Sequence, residues 1–88
     1  MATIEEQFKD AEQRSKTLPK RPNNDQLLQL YALYKQSTVG DATGARPGFS
    51  DFQGRAKFDA WAKIKGKSKE AAMKEYVDLV QKLEKELA

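Results

Sequence analysis

The sequence predicts an all-α fold: a four-helix bundle with one long connection between its second and third helices. Three observations predict it. Apolar residues recur at three- and four-residue intervals in four separate segments. No segment sustains the apolar–polar alternation of a strand. Capping residues, prolines and glycines stand between the periodic stretches. At 88 residues the chain is read as a single domain over 1–88, with a thin core.

The first helix is expected from about Ile4 to Leu18. Thr3 and Glu6 have capping-box spacing, and Ile4, Phe8, Ala11 and Leu18 fall near one face. Pro19-Lys20-Arg21-Pro22 stops it, because proline lacks the backbone donor and restricts the residue before it. The second helix begins at Asn23 or Asn24, where Asn23 and Gln26 repeat the capping-box distance, and ends near Val39. Leu27, Leu28, Leu30, Tyr31, Leu33 and Tyr34 give it an apolar arc broader than a surface helix needs.

Residues 40–48, with three glycines and a proline, form the long loop. The third helix covers about Phe52 to Lys65 and stops at Gly66 as a C-cap. The fourth starts after a Ser68 N-cap and runs to about Leu87. Its stripe of Met73, Tyr76, Val77, Val80, Leu83 and Leu87 is the cleanest helical period in the chain.

Composition narrows the chemistry. There is no cysteine, hence no disulfide, thiolate nucleophile or cysteine-ligated metal. There is no histidine, which removes the usual imidazole base and the commonest metal ligand. No carboxylates are spaced as in a calcium loop. The expectation is a protein that is not an enzyme, with no catalytic residues, no metal and no cofactor. The start of the chain lacks a basic flank followed by an apolar run, and no apolar stretch reaches membrane-spanning length. A cytoplasmic protein is expected. The net charge of +3 is unevenly spread. Arg46 to Lys74 holds eight Lys/Arg against three Asp/Glu, a local excess of +5, which suits an anionic partner as well as a solvated face.

Gly66-Lys67-Ser68 matches the end of a phosphate-binding loop, but Trp61 holds the place of the first glycine and no strand precedes it. More informative are polar groups on apolar faces. Lys57, Trp61 and Ile64 are spaced four and three apart, Lys35 follows Tyr31 by four, and Tyr76 lies on the stripe of the fourth helix. Taken singly, each reads as core packing or as a lysine carrying its ammonium out to water. Together they suggest a pocket in which ammoniums bind phosphate, hydroxyls donate and aromatic faces stack. Periodicity leaves the ligand open. A basic module binding nucleic acid through Lys63, Lys65, Lys67 and Lys69 and a helix-docking module remain alternatives.

The runs Tyr31-Ala-Leu-Tyr-Lys-Gln-Ser-Thr-Val-Gly-Asp41, Arg46-Pro-Gly48, Asp51-Phe-Gln-Gly-Arg-Ala-Lys-Phe-Asp-Ala-Trp61, Gly66-Lys-Ser-Lys-Glu70 and Ala72-Met-Lys-Glu-Tyr-Val77 resemble the acyl-CoA-binding protein family over essentially the whole chain. The resemblance implies an up-down-down-up four-helix bundle around a bowl that takes long-chain fatty acyl-CoA. It implies an intracellular carrier and pool former, monomeric, with no nucleic-acid partner, no stable membrane insertion and at most transient membrane contact. Carried over by position, Tyr31, Lys35 and Lys57 would grip the ribose 3′-phosphate, and Lys16 would reach the head-group phosphates. Tyr34 and Tyr76 would meet the nucleotide. Leu27, Leu28 and Leu30, with Phe52 and Ala56, would line or flank the acyl path. The chain departs from the family at Glu12, often alanine there, at Phe58, more often tryptophan, and at Gln53 and Arg55, often lysine.

Overall fold

The computed structural model describes residues 2–88. They form four helices: α1 (Ile4–Ser15), α2 (Asn24–Thr38), α3 (Phe52–Ala62) and α4 (Lys69–Glu86). Each begins at a side chain that satisfies an otherwise orphaned backbone N–H. Thr3 accepts from Glu6 N, and Asn23 with Gln26 completes a reciprocal capping box. Asp51 accepts from Gly54 N, and Ser68 from Ala71 N.

Two helices are shorter than periodicity predicts. α1 stops at Ser15 rather than Leu18, because the chain tightens into i→i+3 bonds: Lys16 N to the Gln13 carbonyl and Thr17 N to the Arg14 carbonyl. Leu18 still packs against the core from outside the helix. α3 stops at Ala62 rather than Lys65. Ile64 N donates to the Trp61 carbonyl and Lys65 N to the Ala62 carbonyl, again in the tighter pattern. Gly66 is therefore not the residue that caps α3. It closes the turn that follows, at φ +93°, where a side chain would be strained.

The helices pack in a row rather than a closed ring. α1 lies on α4, α4 on α2, and α2 on α3, giving a slab of 42 × 27 × 16 Å. Burial is concentrated at one end of the row. Phe8 and Ala11 of α1, Leu30 and Leu33 of α2, and Ala72, Tyr76, Val77, Val80 and Leu83 of α4 form one cluster. α3 contributes only Trp61 to the buried set.

Polar bonds hold α3 in place instead. Trp61 Nε1 donates to the Gly40 carbonyl at 2.7 Å and to Gln36 Oε1 at 3.2 Å. Gln36 is fully buried, and its amide donates to Asp41 Oδ1 and to the Lys67 carbonyl. Asp41 Oδ1 also accepts from Gly66 N at 2.8 Å. This hub joins the ends of α2 and α3, so the two helices run in the same direction and the connection 39–51 must travel back along the slab. Arg46 pins that connection to α3 through a two-point contact with Asp59, at 2.9 and 2.6 Å.

Candidate functional site

Because α3 is not sealed by apolar packing, a cleft of about 570 Å³ stays open along its seam with α2. From α2 it takes Leu27, Leu28 and Tyr31; from α3, Phe52, Gln53, Ala56 and Lys57; and from the entry to α2, Arg21 and Asn24. The four-residue spacing of Leu27 and Tyr31, and of Phe52 and Ala56, puts each pair on one helix face. The floor is apolar and the edges carry cations. Its volume lies within the range of about 300–1,000 Å³ usual for small-molecule sites.

The structure brings six of the sequence-predicted site residues, Leu27, Leu28, Tyr31, Phe52, Ala56 and Lys57, to this one cleft. The Lys57 ammonium lies 5.5 Å from the Tyr31 ring centre. Lys35 is one turn further along α2, its ammonium 5.6 Å from the Trp61 ring centre on α3. Both lysines thus hover over aromatic faces, which attract a cation while leaving its N–H donors free for an anion. Trp61 is itself fixed by Gly40 and Gln36, so the platform beneath Lys35 is held by the buried hub.

The other four lie elsewhere: Leu30, expected along the acyl path, is buried in the core cluster because it faces α4 and α1, and Tyr34, Tyr76 and Lys16 also lie outside the cleft. Tyr34 and Tyr76 pack with Phe8 where α1, α2 and α4 meet, at ring distances of 5.8 Å for Phe8–Tyr34 and 5.0 Å for Phe8–Tyr76. The buried Tyr76 ring is a core element. Its hydroxyl donates to Ser15 Oγ at 3.2 Å, and Ser15 donates on to the Glu12 carbonyl. Burial pushes the Tyr76 phenol above its ordinary pKa, with the Ser15 contact opposing and Glu12 and Tyr34 adding. Lys16 is exposed just beyond α1, beside Ser15.

Arg21 and Asn24 were not foreseen as lining residues. Arg21 sits in the proline-bounded stop after α1, where its neighbours signalled only a helix break. The signal available was that the stop leads directly into the apolar arc of α2. Gln36 and Asp41 likewise lay inside a recognised run without a physical role. No short-range pattern shows that they meet Trp61 and Gly66, which lie 25 positions further on. A second groove, of about 430 Å³, runs along α2 and α3 with Glu75 of α4 at its edge. It shares Leu28 with the first and is bordered by Asp25, Lys63 and Glu75.

An all-helical slab with an apolar cleft edged by Lys57 and Arg21 belongs to the class of small ligand-binding helical proteins. A family model described as "Acyl CoA binding protein" matches residues 5–80. The chain is 52% identical over 80 residues to an acyl-CoA-binding protein homolog of Drosophila melanogaster, covering 91% of this chain and 93% of that protein. It is 53% identical over 76 residues to acyl-CoA-binding protein homolog 1 of Caenorhabditis elegans, covering 86% and 88%. The crystal structure of acyl-CoA-binding protein 2 from Oryza sativa superposes with a TM-score of 0.91 at 44% identity, covering 96% of this chain and 93% of that one. The chain belongs to the acyl-CoA-binding protein family. Among the described residues, no helix is long and apolar enough to cross a membrane.

Proposed function

We propose that this protein binds long-chain fatty acyl-CoA esters and acts as their carrier and pool former, without transforming them. The observation that carries the reading is the cleft between α2 and α3. Leu27, Leu28, Phe52 and Ala56 make it apolar, and Lys57, Tyr31 and Arg21 stand at its edge. Such a site suits an amphipathic ester with a greasy tail and a phosphorylated head.

The energetics require both halves. Burying about fifteen methylenes at roughly 0.8 kcal/mol each contributes at most about 12 kcal/mol. Association costs about 4–15 kcal/mol before any surplus appears. The head group must therefore supply much of the net affinity. Lys35 and Lys57 take the 3′-phosphate with Tyr31, and Lys16 reaches the other phosphates. Tyr34 and Tyr76 border the nucleotide, and Leu27 and Leu28 flank the tail.

Lacking histidine and cysteine, the chain has neither the usual base nor a thiol nucleophile with which to attack the thioester. The protein works as a cytoplasmic monomer, a single domain over 1–88, with no nucleic-acid partner. Calorimetric titration with palmitoyl-CoA, free CoA and palmitate tests the reading. The ester should bind at least about tenfold more tightly than free CoA, a difference of about 1.4 kcal/mol, and palmitate should bind weakly. Equal affinity for ester and free acid contradicts it.

A further inference from the structure

Two grooves run along α2 and α3, and the acyl-ester reading uses only the cleft edged by Lys57 and Arg21. Leu28 lines both. On α3 the lining passes from Ala56 in the cleft to Ala60 in the second groove, one turn further along the same helix face. On α2 it passes from Leu28 to Ala32, again one turn. The place where the two spaces meet is therefore one leucine among alanines. Leu28, Ala56 and Ala60 are each only half-buried, so packing does not seal the junction.

The chemistry of the second groove identifies its occupant. Leu28, Ala32, Leu33, Ala60 and Ile64 give it an apolar floor. Its charged groups stand at the edge and are already accommodated. Glu75 is paired with Lys67. Asp25 lies in the first turn of α2, where the helix dipole favours a carboxylate. Lys63 is exposed to water. Among the described residues, no buried side-chain donor or acceptor of this groove lacks a partner that a polar ligand would supply. At about 430 Å³ the space is of small-molecule size. It suits an uncharged apolar segment, and its junction with the cleft at Leu28 says where that segment comes from.

We propose that the second groove receives the methyl end of acyl chains too long for the first cleft, so that very-long-chain acyl-CoA esters are also ligands and Leu28 is the point where long and very long tails part. The inference rests on the acyl-ester reading. A palmitoyl tail stays in the cleft. A tail several methylenes longer either projects from the mouth into water, at a cost that grows with each methylene, or turns past Leu28 onto a second apolar floor.

Calorimetric titration of the full chain with palmitoyl-CoA and tetracosanoyl-CoA, below the concentration at which either forms micelles, tests this. The wild type should bind tetracosanoyl-CoA at least as tightly as palmitoyl-CoA. Gln29→Trp and Ala60→Leu each place bulk in the second groove, and Gln29 is exposed, so its substitution leaves the core intact. Each should weaken tetracosanoyl-CoA binding by at least about tenfold, equivalent to about two methylenes returned to water. Each should leave palmitoyl-CoA binding unchanged. In isotope-labelled protein, tetracosanoyl-CoA should move the Ala32, Ala60 and Ile64 amides, which palmitoyl-CoA leaves almost still. Weaker binding of tetracosanoyl-CoA than of palmitoyl-CoA by the wild type overturns the proposal. So does tetracosanoyl-CoA binding that neither substitution changes, or a loss shared equally by both esters. Failure of the acyl-ester reading would appear separately, as no heat with palmitoyl-CoA.

Discussion

The two sides of α2 are built on different principles. Toward α4 and α1, α2 presents Leu30 and Leu33 to a packed cluster in which Val80 and Leu83 have no solvent contact. Toward α3 it presents Leu27, Leu28 and Tyr31 to an open cleft. The neighbours explain the difference. α4 carries a continuous apolar stripe, whereas α3 buries only Trp61 and is positioned by the Gln36–Asp41 hub and the Arg46–Asp59 pair. Apolar packing leaves no room for a ligand. Directional polar bonds at the end of a helix hold it at a distance and keep the gap. One side of the molecule is therefore committed to stability and the other to a site.

The contrast breaks most visibly at Leu83. Leu83→Ala opens a cavity in the closed side and should lower unfolding stability by about 2–5 kcal/mol, read from denaturant melts. The folded fraction should keep its affinity for palmitoyl-CoA. On the open side the pattern reverses. Lys57→Ala should weaken palmitoyl-CoA binding roughly ten- to hundredfold, as expected for a charge-assisted contact worth about 1.5–3 kcal/mol. Its stability should stay within about 0.5 kcal/mol of wild type. A ligand lacking the 3′-phosphate should be nearly indifferent to the change, and Lys35→Ala should behave likewise. Adding the two losses should overestimate the double mutant, since both lysines act on one group.

A smaller effect tests how α3 starts. A Cβ on Gly54 would lie 2.2 Å from Asp51 Oδ2, so Gly54→Ala must push the capping carboxylate away. The lost cap should cost about 1 kcal/mol, part of which alanine's better helix propensity offsets. The change should appear as faster amide exchange at the start of α3, with α4 unaffected.

The smallest effect concerns acid. The Gly66 and Gln36 bonds hold the Asp41 carboxyl below its ordinary 3.8, and the Arg46 contact does the same for Asp59. A carboxyl depressed in the folded state contributes stability that is complete above its unfolded pKa and fades as pH falls through the folded one. Asp59→Asn should therefore flatten the stability profile below about pH 4, the ordinary carboxylate range, and its small loss of stability should be largest near neutrality, where the Arg46 contact is complete. A mutant profile parallel to wild type there would remove Asp59 from the set of groups holding α3.

Much of this division was legible in the sequence. The stripe of α4 and the caps at Asn23 and Ser68 are local patterns, and they placed the closed side correctly. The α2 arc is broader than a surface helix needs, and its excess residues Leu27, Leu28 and Tyr31 are the ones that face the cleft. Helix ends were less legible: Leu18 and Ile64 are apolar at helical spacing but pack from turns. Tertiary tightening of the last turns decided those boundaries, and periodicity does not encode it. The hub was illegible because Gln36, Asp41 and Trp61 meet only once the 39–51 connection has folded back. The exposure of Phe49 and Phe52 was hidden for a related reason. An aromatic residue in sequence reads as core until the neighbouring helix proves too far away to cover it.

The most direct test of the division is a map of backbone amide shifts as palmitoyl-CoA is added to the isotope-labelled protein. The account predicts the largest changes at Leu27, Leu28, Tyr31, Ala56 and Lys57, with Val80 and Leu83 almost still. Dominant shifts at Gln29, Ala60, Lys63 and Ile64 would place the ligand in the second groove and contradict it.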